Sequence, residues 1–253
     1  MEKWRTHLLE DLMKKYNRAL FLHGFMGSPS EGDFLKSYAL DLYCPNLSEI
    51  DSDQKLHQFF NELYKYDPEI IYGYSMGARV TLRYLSSHIL NKSLCKVVLE
   101  SGALFDLTEE QKQARILKDK SRAKAISTNF GSFLRKWYRL PMWGELDPLV
   151  REEWITQRLA EFSDPIKKEA MIRSLLFFSP GQFSHRMKLE KWPRNILGLY
   201  LYGEKDQAYK DRAQSASKLR TPIQFWETSN LGHNLHAQAP LWPSKELNLF
   251  IAP

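Results

Sequence analysis

Ser75 is the residue that most clearly suggests chemistry, because it is the centre of the pentapeptide Gly-Tyr-Ser-Met-Gly at 73–77. The pattern G-x-S-x-G follows an apolar run here and precedes a helical pattern, which predicts a sharp turn from a strand into a helix. Such a turn strains the serine backbone, and the two glycines let neighbouring chain approach without a Cβ clash. We therefore expect the Ser75 hydroxyl to stand above the end of a strand, with the Met76 N–H pointing into the same space.

A serine hydroxyl becomes reactive when a histidine shares its proton and an acid orients that histidine. The sequence LYGEKD at 201–206 ends a predicted strand in a turn that carries acids. Asp206 is favoured over Glu204 because it lies later in the turn. Asp211 is a poorer candidate, since it falls inside the next helical pattern.

The histidine is expected in the sequence LGHN at 231–234, a glycine-containing loop after another strand. His233 is favoured over its rival His236, which lacks the position next to the glycine. Ser75, Asp206 and His233 then follow the chain order Ser, acid, His, and each falls at the carboxyl end of a strand, where open α/β sheets place their sites. The sequence predicts that the three side chains form a catalytic triad.

The loop HGFMG at 23–27 follows the first strong strand and supplies the remaining part of such a site. A glycine-rich turn can aim a backbone N–H at a developing oxyanion. We expect the N–H groups of Phe25 and Met76 to form the oxyanion hole. His23 either faces the substrate or stabilises this loop.

These residues need a sheet to position them, and the chain alternates strand and helix patterns as a doubly wound parallel sheet requires. Short apolar runs predict strands at 18–23, 39–43, 69–74, 96–101, 196–202 and 222–227. Helical patterns lie at 53–65, 77–90, 207–218 and 244–251, and Trp4, Leu8, Leu9, Leu12 and Met13 suggest a helix at the N-terminus.

The alternation breaks between about 103 and 190, where helical patterns rich in aromatic and basic residues contain no convincing strand. We interpret this segment as a helical cap inserted into a core formed by 1–102 and 191–253. With the Ser-centred turn, this organisation predicts an α/β-hydrolase fold, a mostly parallel doubly wound sheet with an inserted cap.

Composition limits the classes of function. The 253 residues are 43% hydrophobic and carry a formal net charge of +6, but the basic residues are scattered and no nucleic-acid-binding motif appears. The densest run, Lys112–Lys124, is either a solvated helix face or partly directed at an anionic ligand. The sequence shows no secretory signal and no apolar run long enough to span a membrane. Its two cysteines, Cys44 and Cys95, do not have the spacing of a metal site. We expect a cytoplasmic protein with no metal, cofactor, membrane or nucleic-acid partner, and its oligomeric state is not predicted.

Four stretches of the sequence together resemble one family. LFLHGFMGS, GYSMGARV, LYGEKD and GHNLHAQAP are similar to motifs of the 2-succinyl-6-hydroxy-2,4-cyclohexadiene-1-carboxylate synthases of menaquinone biosynthesis, which belong to the α/β-hydrolase superfamily. The spacing S-x-G-x-R from Ser75 to Arg79 and the segment from 107 to 143 strengthen the resemblance, which covers roughly residues 18–240.

The resemblance implies a lyase, which eliminates pyruvate from 2-succinyl-5-enolpyruvyl-6-hydroxy-3-cyclohexene-1-carboxylate. By the family's pattern, Ser75 with His233 removes a ring proton next to the ketone and Asp206 stabilises the imidazolium. The N–H groups of Phe25 and Met76 then receive the enolate. The implied partner is a small molecule with three carboxylates, and no cofactor is implied.

Three carboxylates call for fixed cations, and arginine binds carboxylates bidentately. Arg79 lies one helical turn beyond Ser75, on roughly the same side of the helix. By resemblance, Arg115, four residues before Asp119, and Arg158 also bind substrate. The resemblance also implies two aromatic side chains in the site, Tyr74 and Trp137.

The chain departs from the family in three places. Residues 41–48 replace a D-L-P-G-H-G-x-S element, the segment between 28 and 40 is short enough that a helix is expected to be missing, and 178–181 replaces a Q-P element. These changes leave the triad intact but alter the expected pocket wall. Two other functions therefore remain open, a serine esterase or carbon–carbon hydrolase acting through an acyl-enzyme, and a non-catalytic binding protein.

Overall fold

A parallel sheet of six strands forms the centre of the protein in the computed structural model, which describes residues 15–87, 91–239 and 245–251. The strand order is β2-β1-β3-β4-β5-β6, and every neighbouring pair is parallel. The strands are β1 (Tyr16–Leu22), β2 (Ala39–Tyr43), β3 (Ile70–Tyr74), β4 (Lys96–Glu100), β5 (Leu197–Gly203) and β6 (Ile223–Thr228). The order reverses direction between β1 and β3, so their carboxyl ends flank the crevice in which such sheets bind ligands.

The apolar runs of the strands follow from burial on both faces of the sheet. In β1, Leu20 and Leu22 pack into one hydrophobic cluster, and Ala19 and Phe21 pack into the cluster on the opposite face. All four side chains are completely buried. The predicted strands agree with the observed ones to within two residues at each end, because a continuous apolar run is what a sheet covered on both faces requires.

Five helices belong to the same alternating pattern: α1 (Asp53–Tyr66), α2 (Met76–Leu85), α7 (Gln207–Ala216), α8 (Leu235–Gln238) and α9 (Lys245–Ile251). The helix predicted at 77–90 ends at Leu85, followed by a turn at 86–87. The N-terminal helix suggested by Trp4 to Met13 lies outside the described residues.

The segment between 28 and 40 was expected to lack a helix, and the structure corrects this. Residues Pro29–Ser37 form a 3₁₀ helix that begins with proline in its first turn. Gly32 lies directly on the Phe21 ring, where a Cβ would come within 2.5 Å of Cγ. The tighter 3₁₀ winding fits the short connection between β1 and β2.

Between β4 and β5 the chain forms four α-helices: α3 (Glu109–Thr128), α4 (Phe130–Trp137), α5 (Pro148–Glu161) and α6 (Pro165–Phe177). Residues 103–190 are all described and contain no strand. Aromatic and aliphatic side chains of these helices form a third hydrophobic cluster, which also includes Met26 of the loop after β1. Among the helices that the structure describes, none is both long and apolar enough to cross a bilayer.

Candidate active site

Ser75 occupies the turn between β3 and α2 with a positive φ in a strained backbone conformation, φ 52° and ψ −102°. The turn is possible because glycine has no Cβ, so that other segments of the protein can approach closely at Gly73 and Gly77. A Cβ at Gly77 would overlap the Leu22 carbonyl, and a Cβ at Gly73 would lie 2.5 Å from Thr81 Oγ1. The sequence prediction of a strained, glycine-flanked serine therefore matches the local geometry.

The structure brings Ser75, His233 and Asp206 into one chain of hydrogen bonds. Ser75 Oγ lies 2.9 Å from His233 Nε2, and His233 Nδ1 lies 2.6 Å from an Asp206 carboxylate oxygen. The imidazole and the carboxylate are almost completely buried. With Nδ1–H donating to Asp206, Nε2 is free to accept the serine proton, which is the arrangement that general-base activation of a hydroxyl requires.

Backbone contacts between two loops place the acid beside the histidine. Lys205 N–H donates to the Leu231 carbonyl at 2.9 Å, and a Cβ at Gly203 would overlap the carbonyls of Leu231 and Gly232. Among the other acids considered, Glu204 accepts the Asn230 N–H at 2.9 Å. Asp211 accepts a hydrogen bond from the side chain of Gln207.

His236, the rival histidine, belongs to a different buried group. Its Nδ1 lies 2.7 Å from Glu100, a completely buried acid at the end of β4. Glu100 also accepts the Leu235 N–H at 2.6 Å and the Tyr72 hydroxyl. Burial alone lowers the pKa of His236, but the Glu100 and Glu31 carboxylates raise it to about 9. Glu100 belongs to no recognisable motif, so no signal in the sequence predicts this group.

Glu31 continues the group toward the helices above the sheet. Its carboxylate lies 3.8 Å from His236 Nε2 and forms an ion pair with Arg158 of α5. Burial raises the pKa of Glu31, but interactions with His236 and Arg158 outweigh burial and bring the value to about 2. The charged chain Glu100–His236–Glu31–Arg158 therefore connects the end of β4 to α5; below it is called the buried ion network.

His23 stabilises the glycine-rich loop, one of the two alternatives left open by the sequence. Its Nδ1–H donates to the Gly24 carbonyl at 2.8 Å, and its Nε2 accepts the Leu47 N–H at 2.9 Å. Burial lowers the pKa of this imidazole, so it is neutral. Leu47 lies in the stretch 41–48 that departs from the family. This stretch therefore stabilises the glycine-rich loop at 23–27 through the hydrogen bond to His23.

Phe25 lies in the loop after β1 and Met76 is the first residue of α2, and both residues line the cavity that contains Ser75. In the described parts of the chain, neither N–H donates to another protein group. A helix N-terminus also favours negative charge. Both donors are therefore available to an anion.

A cavity of about 270 Å³ opens above Ser75 and is strongly basic. Ser75, His233, Tyr74 and Trp137 are among its lining residues, as predicted. Five cationic side chains also line it: Arg79, Arg115, Lys118, Arg122 and Arg212.

Arg79 reaches the cavity from the first turn of α2. It donates to the Phe178 carbonyl, and the described residues place no Asp or Glu oxygen within 4 Å of it. Burial, and then the charges of Arg115 and Arg212, lower its pKa to about 10. Phe178 belongs to the stretch 178–181 that departs from the family. Ser179 and Pro180 of this stretch line the same cavity, so the stretch forms part of the cavity wall.

Asp119 organises the cationic face of α3. The carboxylate is completely buried and accepts hydrogen bonds from Arg115 Nε and Arg122 Nη1, both at 2.7 Å. Arg122 also lies over the Trp137 ring, at 5.0 Å from its centroid. Part of the basic run Lys112–Lys124 therefore faces the cavity. Lys118 and Arg122 could have been predicted from their positions three and seven residues beyond Arg115 on the same helix face.

Arg158 does not line this cavity. It lines a neighbouring one of about 160 Å³, together with Glu31. The two cavities share Phe25, Tyr74, Trp137 and Trp143. A larger groove of about 560 Å³ lies elsewhere, along α1 and the end of α2. We assign the site to the smaller basic cavity because it contains the serine and the histidine. Within the described ranges, no group of three His, Cys, Asp or Glu side chains is arranged to hold a metal ion.

Comparison with known proteins agrees with the resemblance found in the motifs. A Haemophilus influenzae protein named "Putative 2-succinyl-6-hydroxy-2,4-cyclohexadiene-1-carboxylate synthase" is 26% identical over 246 residues, which cover 90% of this chain and 94% of that protein. A Yersinia pestis protein named 2-succinyl-6-hydroxy-2,4-cyclohexadiene-1-carboxylate synthase is 27% identical over 169 residues, or 66% of this chain and 58% of that protein. No model of a protein family matches the chain.

Solved structures show the same fold. The structure of MenH from S. aureus superposes with a TM-score of 0.71 at 24% identity and covers 90% of each chain. A bromoperoxidase from Bacillus anthracis gives a TM-score of 0.64 at 16% identity over 87% of this chain and 86% of that one. The chain has the α/β-hydrolase fold, and the similarity to the synthases extends over most of its length.

Proposed function

We propose that this protein is a lyase that eliminates pyruvate from 2-succinyl-5-enolpyruvyl-6-hydroxy-3-cyclohexene-1-carboxylate to form 2-succinyl-6-hydroxy-2,4-cyclohexadiene-1-carboxylate, a step of menaquinone biosynthesis. One observation carries the proposal: the hydrogen-bonded Ser75–His233–Asp206 relay opens into a cavity with five cationic side chains. An esterase for neutral substrates has no need of these cations, whereas a tricarboxylate requires them. The names of the relatives agree with this product.

In the proposed reaction, the relay removes the ring proton next to the succinyl ketone. Ser75 Oγ takes this proton as His233 Nε2 takes the hydroxyl proton of the serine, and the Asp206 carboxylate stabilises the imidazolium through Nδ1–H. The electron pair of the broken C–H bond moves onto the ketone oxygen and forms an enolate. The 2.9 Å contact between Ser75 Oγ and His233 Nε2 suits the transfer of the serine proton, and the 2.6 Å contact between His233 Nδ1 and Asp206 suits stabilisation of the imidazolium.

The oxyanion donors then stabilise the enolate. The N–H groups of Phe25 and Met76, which have no other protein partner in the described chain, would donate to the ketone oxygen. As the ketone re-forms, the electron pair passes through the ring double bond and breaks the bond to the enolpyruvyl oxygen. Pyruvate leaves as its enolate and takes up a proton, so that the relay regains its starting state.

The binding roles follow the same logic. Arg79 and Arg115 would bind substrate carboxylates, Trp137 would pack on the ligand and Tyr74 would line the site. Arg158 would contact substrate only if the ligand extends into the neighbouring cavity. We also propose that residues 103–190 act as a cap over the core and that the protein works in the cytoplasm.

The test is a pyruvate-release assay with the purified protein and the enolpyruvyl substrate, measured against the spontaneous decay of the substrate. Ser75→Ala should lower the rate by at least about 1,000-fold. Ser215→Ala is the matched control, because this exposed serine of α7 lies outside the cavity. Pyruvate release no faster than spontaneous decay would reject the lyase function. Hydrolysis of neutral esters that survives Arg79→Gln would indicate the esterase instead.

A further inference from the structure

Arg212 is a cavity residue that neither the motifs nor the resemblance indicated. It lies on α7, about two turns beyond Asp206, and its side chain lines the same cavity as Ser75 and His233. The helix that begins at the catalytic acid therefore also delivers a cation to the site.

The position of the Arg212 side chain is fixed by stacking. Its guanidinium carbon lies 4.7 Å from the centroid of the Tyr209 ring, and that ring lies 4.7 Å from the centroid of the His233 imidazole. A guanidinium over a tyrosine face is held by its attraction to the ring electrons. Tyr209 therefore contacts both the Arg212 guanidinium and the imidazole of the proton relay.

The guanidinium has no acid to balance it. In the described chain, no Asp or Glu oxygen lies within 4 Å of Arg212, and it makes no hydrogen bond to protein. Lys210 on the same helix, by contrast, pairs with Glu227 at 2.9 Å. An arginine carries five N–H donors in a planar fork. In Arg212 these donors are available to bind a ligand.

Arg79 is in the same situation on another wall of the cavity. Apart from the Phe178 carbonyl, it has no hydrogen-bond acceptor in the described residues. The positive charges of Arg115 and Arg212 act on it with the same sign as burial and disfavour its charged form. Arg115 is balanced by Asp119, but Arg79 and Arg212 repel each other until an anion lies between them.

We propose that Arg212 is a specificity-determining residue that binds a carboxylate of the substrate and holds it against Arg79, beside the proton relay. This inference rests on the proposed lyase function for the identity of the ligand. It adds to that function a second unbalanced arginine, on α7, which restricts the enzyme to substrates with a carboxylate at this place.

The inference can be tested by calorimetric binding in a Ser75→Ala background, with the enolpyruvyl substrate and, as a stable probe, propane-1,2,3-tricarboxylate. Arg212→Gln should weaken the binding of the enolpyruvyl substrate by about 10- to 100-fold, the usual range for a lost charge-assisted hydrogen bond. Arg212→Lys should restore part of the affinity. Arg220→Gln is the matched control, since Arg220 is exposed and lies outside the cavity.

Two further readouts separate ligand binding from a structural role. In the otherwise unchanged enzyme, Arg212→Gln should raise KM far more than it lowers kcat. The ligand-free variant should melt at the same temperature as the parent protein or higher, because repulsion with Arg79 is relieved. A lower melting temperature with unchanged substrate affinity would show a purely structural role and overturn the inference.

The outcome is distinguishable from failure of the lyase function. If pyruvate is released but Arg212→Gln binds substrate within two-fold of the parent, the inference fails and the lyase function stands. If no pyruvate is released, yet binding of propane-1,2,3-tricarboxylate falls in Arg212→Gln and not in Arg220→Gln, the lyase function fails. Arg212 then still stands as a carboxylate-binding residue.

Discussion

At the scale of single residues, the site depends on where side chains are missing as much as on where they are present. The strained, positive-φ backbone of Ser75 is held because α2 packs directly on β1 at Gly77, where any Cβ would overlap the Leu22 carbonyl. Backbone strain of this kind costs about 1–3 kcal/mol and persists only when the surroundings fix it. The reactive position of the serine is thus maintained by a glycine two residues away.

Gly77→Ala should therefore destabilise the protein strongly although it removes no contact. We expect a loss of about 3 kcal/mol or more in the free energy of unfolding, measured by urea denaturation, because backbone must move to accommodate the methyl group. Gly131→Ala is the matched control. Gly131 lies in α4, and a Cβ there would lie 3.4 Å from its nearest neighbour, the end of the flexible Arg135 side chain.

The control substitution should leave stability unchanged or raise it by up to about 1 kcal/mol, because alanine favours a helix over glycine. Equal stabilities for the two variants would show that α2 and β1 are not in close contact at Gly77.

At the scale of elements, the buried ion network links parts that the sequence presents as unrelated. Glu100 ends β4, His236 lies in α8, Glu31 lies in the 3₁₀ helix and Arg158 lies in α5. Glu31 also packs against the glycine-rich loop, where a Cβ at Gly27 would lie 2.7 Å from its carboxylate. The network therefore connects the loop that carries His233 to the loop that carries Phe25, the proposed oxyanion donor.

The network predicts a particular pH dependence of stability. The folded-state pKa of His236 is about 9, above its ordinary value of 6.5. A raised pKa stabilises the folded state fully below pH 6.5, and this contribution is lost as the pH rises through 9. The shift corresponds to about 3 kcal/mol. His236→Gln should destabilise the protein most at pH 6, and the difference from the parent should shrink by pH 9.5.

Urea unfolding at several pH values measures this difference, with His57→Gln as the control because His57 is exposed on α1. The control should track the parent protein at every pH. A His236→Gln difference that stays constant from pH 6 to 9.5 would mean that the imidazole is not held in its charged form.

The same elements show how much of the molecule is predictable from sequence. All six strands and the Ser75–Asp206–His233 relay could be predicted, because apolar runs and glycine-flanked loops are local signals. Glu100 and Glu31 could not, since their partners lie 136 and 127 residues away in the chain and an isolated acid is ordinarily a surface residue. Arg212 was missed for a related reason. A cation without a partner is recognised only when the absence of a neighbouring acid can be seen in three dimensions.

At the scale of the whole molecule, the distribution of charge matters more than its total. The net charge of +6 does not by itself indicate a binding site, because the basic residues are scattered along the sequence. In the structure, five cationic side chains line one cavity. The nearby acid Asp119 forms ion pairs with two of them, Arg115 and Arg122. A cleft lined by one sign of charge raises the local concentration of oppositely charged substrate and speeds association.

This focusing predicts a strong dependence of catalysis on salt. We expect kcat/KM for the enolpyruvyl substrate to fall by about ten-fold or more between about 0.02 M and 0.5 M NaCl, because screening shortens the reach of the cavity charges. Arg79→Gln, with one cation fewer, should start lower and show a shallower slope. Arg220→Gln removes the same charge from outside the cavity, so its slope should equal that of the parent protein. If all three proteins lose activity with the same slope, the effect comes from net charge alone, and the cavity does not focus the field on its substrate.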